Sequence, residues 1–118
     1  MTSRTPAPAS FIPLKPARFH ILLALADGAR HGFSIREVVE ARTEGAVKLW
    51  PATLYGAVRD MSDEGLVEAL EGEEDPDDDQ RRRYYRLTSL GREVLRAEAD
   101  RLQSLVDAAR GSAALGRT

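Results

Sequence analysis

The sequence predicts a mostly α-helical fold with a small β-hairpin and a long C-terminal helix. Three observations carry that prediction. Apolar residues recur at helical spacing in three successive segments ahead of Gly65. Two short segments rich in β-branched and aromatic residues, "LVEAL" and "RYYRLT", then flank an acidic loop containing a proline. A last helical pattern, "LGREVLRAEADRLQSLVDAAR", is longer than any before it.

The elements follow in order. Residues 1–15 are rich in Pro, Ala, Ser and Thr and read as a mobile arm, with Phe11, Ile12 and Leu14 anchoring its end. Pro16 suits the first turn of a helix through "ARFHILLALAD", which is apolar on nearly every side and therefore central, with Gly28 at its C-terminal cap. "ARHG" turns a tight corner into "FSIREVVEAR", where Ile35, Val38 and Val39 share one face. "TEGA" ends that helix, and "VKL" has the character of a short strand. Pro51 opens a third helix that runs to about Glu64, with Gly65 closing it. In the second strand of the hairpin, alternation sends Tyr85 and Leu87 to the core and Tyr84 and Arg86 away from it. Thr88 or Ser89 caps the terminal helix, and Gly111 ends it.

Three helices, a hairpin and one long helix make a winged helix-turn-helix with a C-terminal dimerisation helix. The chain divides into the arm over residues 1–15, a DNA-binding domain over 16–88, the dimerisation helix over 89–111 and a frayed tail over 112–118.

Composition narrows the function. The 118 residues allow one domain with a modest core, and 42% apolar with 31% charged residues fits a soluble protein. Cysteine is absent, and His20 and His31 are the only histidines, so no metal site is assigned. No nucleophile–base pair, glycine-rich phosphate loop or carboxylate pair is visible, so no catalytic residue and no cofactor is assigned either. No secretion signal or membrane span is read, and the cytoplasm is the default location. The net charge of −2 hides a segregation: "EGEEDPDDD" over residues 71–79 is followed directly by "QRRRYYR".

The third helix carries the functional expectation. Leu54, Val58 and Met61 form its buried stripe, and the opposite face bears Ala52, Thr53, Tyr55, Gly56, Arg59, Asp60 and Asp63. Small residues keep the start of that face slim enough for a major groove. Thr53 and Tyr55 offer hydroxyls, and Arg59 reaches either a phosphate or a guanine. Charged faces are more often merely solvated, with Arg59 paired to Asp63; the adjoining wing shifts the balance toward nucleic acid. Lys48 beside this helix and Arg81, Arg82 and Arg83 on the wing are the remaining DNA-binding candidates. Those arginines equally suit charge balance against the acidic run. His31, Gly32 and Ser34 mark the helix corner, where a cap or a phosphate contact is expected.

"ILLALADGARHGFSIREVVEAR", "VKLWPATLYGAVRDMSDEGLVE" and "RRRYYRLTSLGREVL" together resemble PadR-type transcriptional regulators over residues 18 to 96. The resemblance implies a homodimer on double-stranded operator DNA, usually a repressor, with some members released by small aromatic effectors. It matches Thr53 and Tyr55 to the recognition helix, Arg82 and Arg83 to the basic residues of the wing, and Gly32 to the tight corner. The acidic wing tip and the two aspartates of the third helix depart from it. Trp50 is read either as core or hinge packing or as the wall of an effector pocket. In the last helix Leu95, Leu102 and Ala109 recur every seven residues, with Glu98, Leu105 and Val106 between them, an imperfect seam for the dimer interface. An alternative function is a winged-helix protein-interaction module whose acidic loop docks a basic partner.

Overall fold

The computed structural model describes residues 6–70 and 83–116. Residues 6–15, assigned to an arm by composition, contain one turn of 3-10 helix, Pro8–Phe11, that lies against the terminal helix, and Leu14 is buried. Helix α1, Pro16–Ala24, starts on its proline and buries Ile21, Leu22 and Ala24 at the centre of the core. It stops short of the expected Asp27. Leu25 takes the C-cap, and Gly28, at φ +152°, closes the next turn by donating its N–H to the Leu25 carbonyl.

The corner after α1 holds a strand that the sequence does not show. Strand β1, Arg30–His31, pairs antiparallel with β3, Tyr84–Leu87, which also pairs with β2, Val67–Ala69; the sheet order is β1-β3-β2. Conversely, Val47–Leu49 forms no strand. Its backbone is satisfied by side chains instead: the Val47 N–H donates to Thr43 Oγ1 at 3.1 Å, and the Leu49 carbonyl accepts from Arg36 Nε at 2.6 Å.

Helix α2, Gly32–Arg42, buries Ile35 and Val39, with Val38 half-buried beside them. Helix α3, Pro51–Asp63, buries Leu54, Val58 and Met61 at 2% exposure or less, which is the expected stripe. Its end is a Schellman turn. Gly65 takes φ +85°, its N–H donates to the Ser62 carbonyl, and the Leu66 N–H reaches back to Met61. Arg18 of α1 braces the same end with two hydrogen bonds to the Glu64 carboxylate, at 2.7 and 3.3 Å. In β3 the alternation holds: Tyr85 and Leu87 are buried, Tyr84 and Arg86 exposed.

Helix α4, Ser89–Arg110, spans 22 residues and is capped by Thr88, whose Oγ1 accepts from the Gly91 N–H at 2.9 Å. Gly91 is buried against the start of the wing. A Cβ there would run into the Leu66 carbonyl oxygen, so backbone meets backbone at this point. One turn further on, Val94 and then Glu98 face the body. Among the described residues, Glu98 is the buried charged one, at 1% exposure. Its carboxylate accepts from the Leu14 N–H at 2.9 Å and from Arg101 at 2.6 and 2.8 Å. The Arg101 hydrogen bonds, helped by the Leu14 N–H, hold its carboxyl below the ordinary 4.5 against the opposing effect of burial.

Two outcomes follow. Gly91→Ala drives a methyl group into a carbonyl that cannot yield, and it lowers stability by about 1–3 kcal/mol in chemical denaturation. Because Glu98 binds its proton less readily when folded, its contribution is complete above the ordinary carboxylate value and is lost as pH falls through the lower folded one. Stability measured against pH is therefore flatter on the acid side for Glu98→Gln than for the unaltered protein.

Candidate nucleic-acid interface

The exposed flank of α3 starts beside Trp50. Pro51, Ala52 and Thr53 are exposed, and Gly56 adds no side chain behind them. Two further turns along, Arg59 and Asp60 are exposed as well. Tyr55 departs from the expected outward position. It is half-buried, and its ring leans across to α2, where a Cβ on Gly32 would meet the phenol oxygen at 2.5 Å and Cε1 at 2.6 Å. Its hydroxyl oxygen is buried. The helical wheel places Tyr55 one step from Leu54, and the missing side chain of Gly32 gives the ring somewhere to go. The tyrosine therefore sets how α2 and α3 meet.

The corner residues cap α2. His31 Nδ1 accepts from the Ser34 N–H at 3.1 Å, and the imidazole stands edge-to-face with Tyr84 at 5.4 Å. Arg30 ties the corner to α1 by donating from Nε to the Ala24 carbonyl at 2.7 Å. Its guanidinium also donates to Ser34 Oγ at 3.3 Å. Lys48 is exposed, with Nζ 4.0 Å from Glu40.

Arg59 and Arg83 come together. Both line a cleft of about 130 Å³ at the junction of α3 and the wing, with Ser62, Asp63, Ala69 and Tyr85. Burial pushes the Tyr85 phenol up, and the nearby Arg83 charge works against that shift. Arg81 and Arg82, like the acidic run at 71–79, lie outside the described residues. The aspartates of α3 divide: Asp63 shares the cleft, whereas Asp60 lies 4.0 Å from Arg18 and so faces α1.

The seam read along α4 also divides. Leu95 packs against the core, Leu102 is half-buried, and Leu105, Val106 and Ala109 are exposed, the first two at 54% and 45%. Glu98, placed between the heptad leucines by the sequence, turns inward to Leu14. Trp50 is 62% exposed, neither core packing nor part of the cleft just described. Among the described residues, no cluster of acidic or histidine side chains could hold a metal ion, and no helix is long and apolar enough to cross a membrane.

A trihelical corner whose third helix has an uncovered flank, joined to a three-stranded antiparallel sheet, defines a winged helix-turn-helix. Residues 21–97 match the model of the transcriptional regulator PadR-like family, and the chain belongs to that family. It is similar to an uncharacterised protein of Lysinibacillus sphaericus, 33% identical over 64% of this chain and 67% of that one. It is also similar to an uncharacterised 37.1 kDa protein in a transposon of Streptomyces fradiae, 37% identical over 75% of this chain but only 24% of that protein. Among solved structures, RosR of H. salinarum superposes with a TM-score of 0.62 at 27% identity, covering 89% of this chain and 86% of that one. A PadR family transcription regulator from Clostridium difficile shares the fold with a TM-score of 0.64 at 21% identity, over 80% and 94% of the two chains.

The contact between Tyr55 and Gly32 can be tested as a double-mutant cycle. Gly32→Ala costs about 1–3 kcal/mol by overpacking, and the cost shrinks in a Tyr55→Leu background, where the ring that meets the new methyl is gone. Equal costs in the two backgrounds in urea denaturation would remove the contact.

Proposed function

We propose that the protein is a homodimeric repressor that binds double-stranded operator DNA through the start of α3 and the wing. The observation that carries this reading is the convergence of Arg59 and Arg83 on one cleft beside the uncovered flank of α3. The start of the flank, Pro51 to Thr53, is slim enough for a major groove, and its free backbone N–H groups favour a phosphate oxygen. Thr53 offers a hydroxyl to a base edge or phosphate. The cleft sits where a DNA strand leaving the groove would pass the wing, so Arg59 and Arg83 grip the backbone and contribute affinity more than sequence choice. His31 and Ser34 are engaged with each other as a cap, and their role is to hold the corner in shape.

Dimerisation is supported by the exposed Leu105 and Val106 on α4. A two-fold pair would present its α3 helices to successive major grooves about 34 Å apart. Repression follows if the bound dimer blocks access to a promoter, and a small aromatic effector that alters the angle between subunits would release it.

Fluorescence anisotropy with duplexes selected from a random-sequence pool tests the reading. Affinity should fall steeply as salt rises, because phosphate contacts release counterions. Arg59→Ala and Arg83→Ala should each weaken binding to all duplexes and lower the salt slope by about one, whereas Thr53→Ala should change which sequences are preferred. A protein that selects no duplex at low salt overturns the proposal.

A further inference from the structure

Trp50 is the sole tryptophan of the chain, and the fold holds it out in water. It precedes α3 directly as the N-cap, and 62% of its surface is exposed. Its backbone is nonetheless fixed on both sides. Leu49 before it is buried, with its carbonyl clasped by Arg36 at 2.6 Å. After it, Pro51 presets the helical turn, Leu54 is fully buried, and the Leu54 N–H donates to the Trp50 carbonyl at 2.9 Å. A large ring on so rigid a mount loses little conformational freedom on binding, which is what makes aromatic residues effective anchors.

Neighbouring residues point to the occupant. Trp50 caps the helix in which Thr53 is the third residue, and both side chains are exposed there. Ala52 keeps the backbone between them slim. Lys48, two residues before the tryptophan, is exposed and stands 4.0 Å from Glu40, while Arg36 is held on the Leu49 carbonyl. The exposed apolar residues of α4 belong to a different layer, since α4 packs on α1, β3 and the Pro8–Phe11 turn. Hence the ring continues the flank assigned to DNA rather than the surface assigned to a second subunit.

We infer that Trp50 is a specificity-determining residue that packs its indole on the C5-methyl of a thymine in the major groove, next to the bases reached from Thr53. This rests on the DNA-binding reading above. The thymine methyl is the one apolar group on the major-groove edge of the bases, and an apolar side chain at the helix start distinguishes it from cytosine, which lacks it.

A duplex selected from the random pool, labelled for anisotropy, also allows the emission of Trp50 to be read without interference from another tryptophan. The expected result is quenching of that emission in step with binding. Trp50→Ala should weaken binding about tenfold, and Trp50→Phe, which keeps an apolar ring, should weaken it less. Replacing the contacted thymine by deoxyuridine removes only the methyl group; it should cost the unaltered protein about fourfold and cost Trp50→Ala nothing. Circular dichroism of both variants checks that α3 is intact. A duplex bound with unchanged emission, or equally tightly by Trp50→Ala, overturns the inference and leaves the regulator reading standing. Emission that responds instead to self-association in the absence of DNA assigns the ring to a second subunit and overturns it as well. Failure to select any duplex overturns both.

Discussion

Helix α3 is held by a stripe one side chain wide. Leu54, Val58 and Met61 are buried almost completely, and full burial of such side chains is worth about 1.5–3 kcal/mol each. Turning the helix by one residue's 100° would bring polar neighbours into the core and leave those three in water. The stripe therefore fixes rotation about the helix axis, and with it which residues stand uncovered. Two contacts fix the remaining freedoms. Tyr55 on Gly32 sets the approach to α2, and Arg18 on Glu64 holds the far end to α1. The outer flank is what remains once these inner demands are met.

The wing and the terminal helix meet at Leu66. Leu66 closes the Schellman turn of α3 with its N–H, accepts from the Thr88 N–H with its carbonyl, and leaves that carbonyl pressed against Gly91. Three elements thus share one residue's backbone. Thr88 reinforces the junction by capping α4 while its hydroxyl also donates to the Gly65 carbonyl. These contacts tie the base of the wing to the start of α4.

Patterns that repeat were legible in the sequence, and contacts made only once were not. The stripe of α3 and the alternation in β3 each recur often enough to define a face, and both hold in the structure. So does the winged helix-turn-helix expectation, together with the family. Strand β1 has two residues, too few to carry a period, so Arg30–His31 reads as a corner. Val47–Leu49 has strand-forming residues but finds its partners in Thr43 and Arg36, which no local pattern announces. A helical wheel gives the direction of Tyr55 but not the gap above Gly32 that receives it. In α4 the seven-residue recurrence cannot separate a partner's surface from the chain's own. Glu98 interrupts that recurrence, and the signal for its burial was present in Arg101 three residues on, which supplies the compensating charge.

The buried carboxylate has a mechanical consequence. Glu98 on α4 grips the amide of Leu14, two residues ahead of α1, so the entry to α1 cannot slide along α4 without breaking a hydrogen bond in the core. Through Arg18, α1 in turn holds Glu64 at the trailing end of α3. The last helix and the third are thus each tied by a polar link to the start of the first, where Leu14 and Arg18 stand one turn apart.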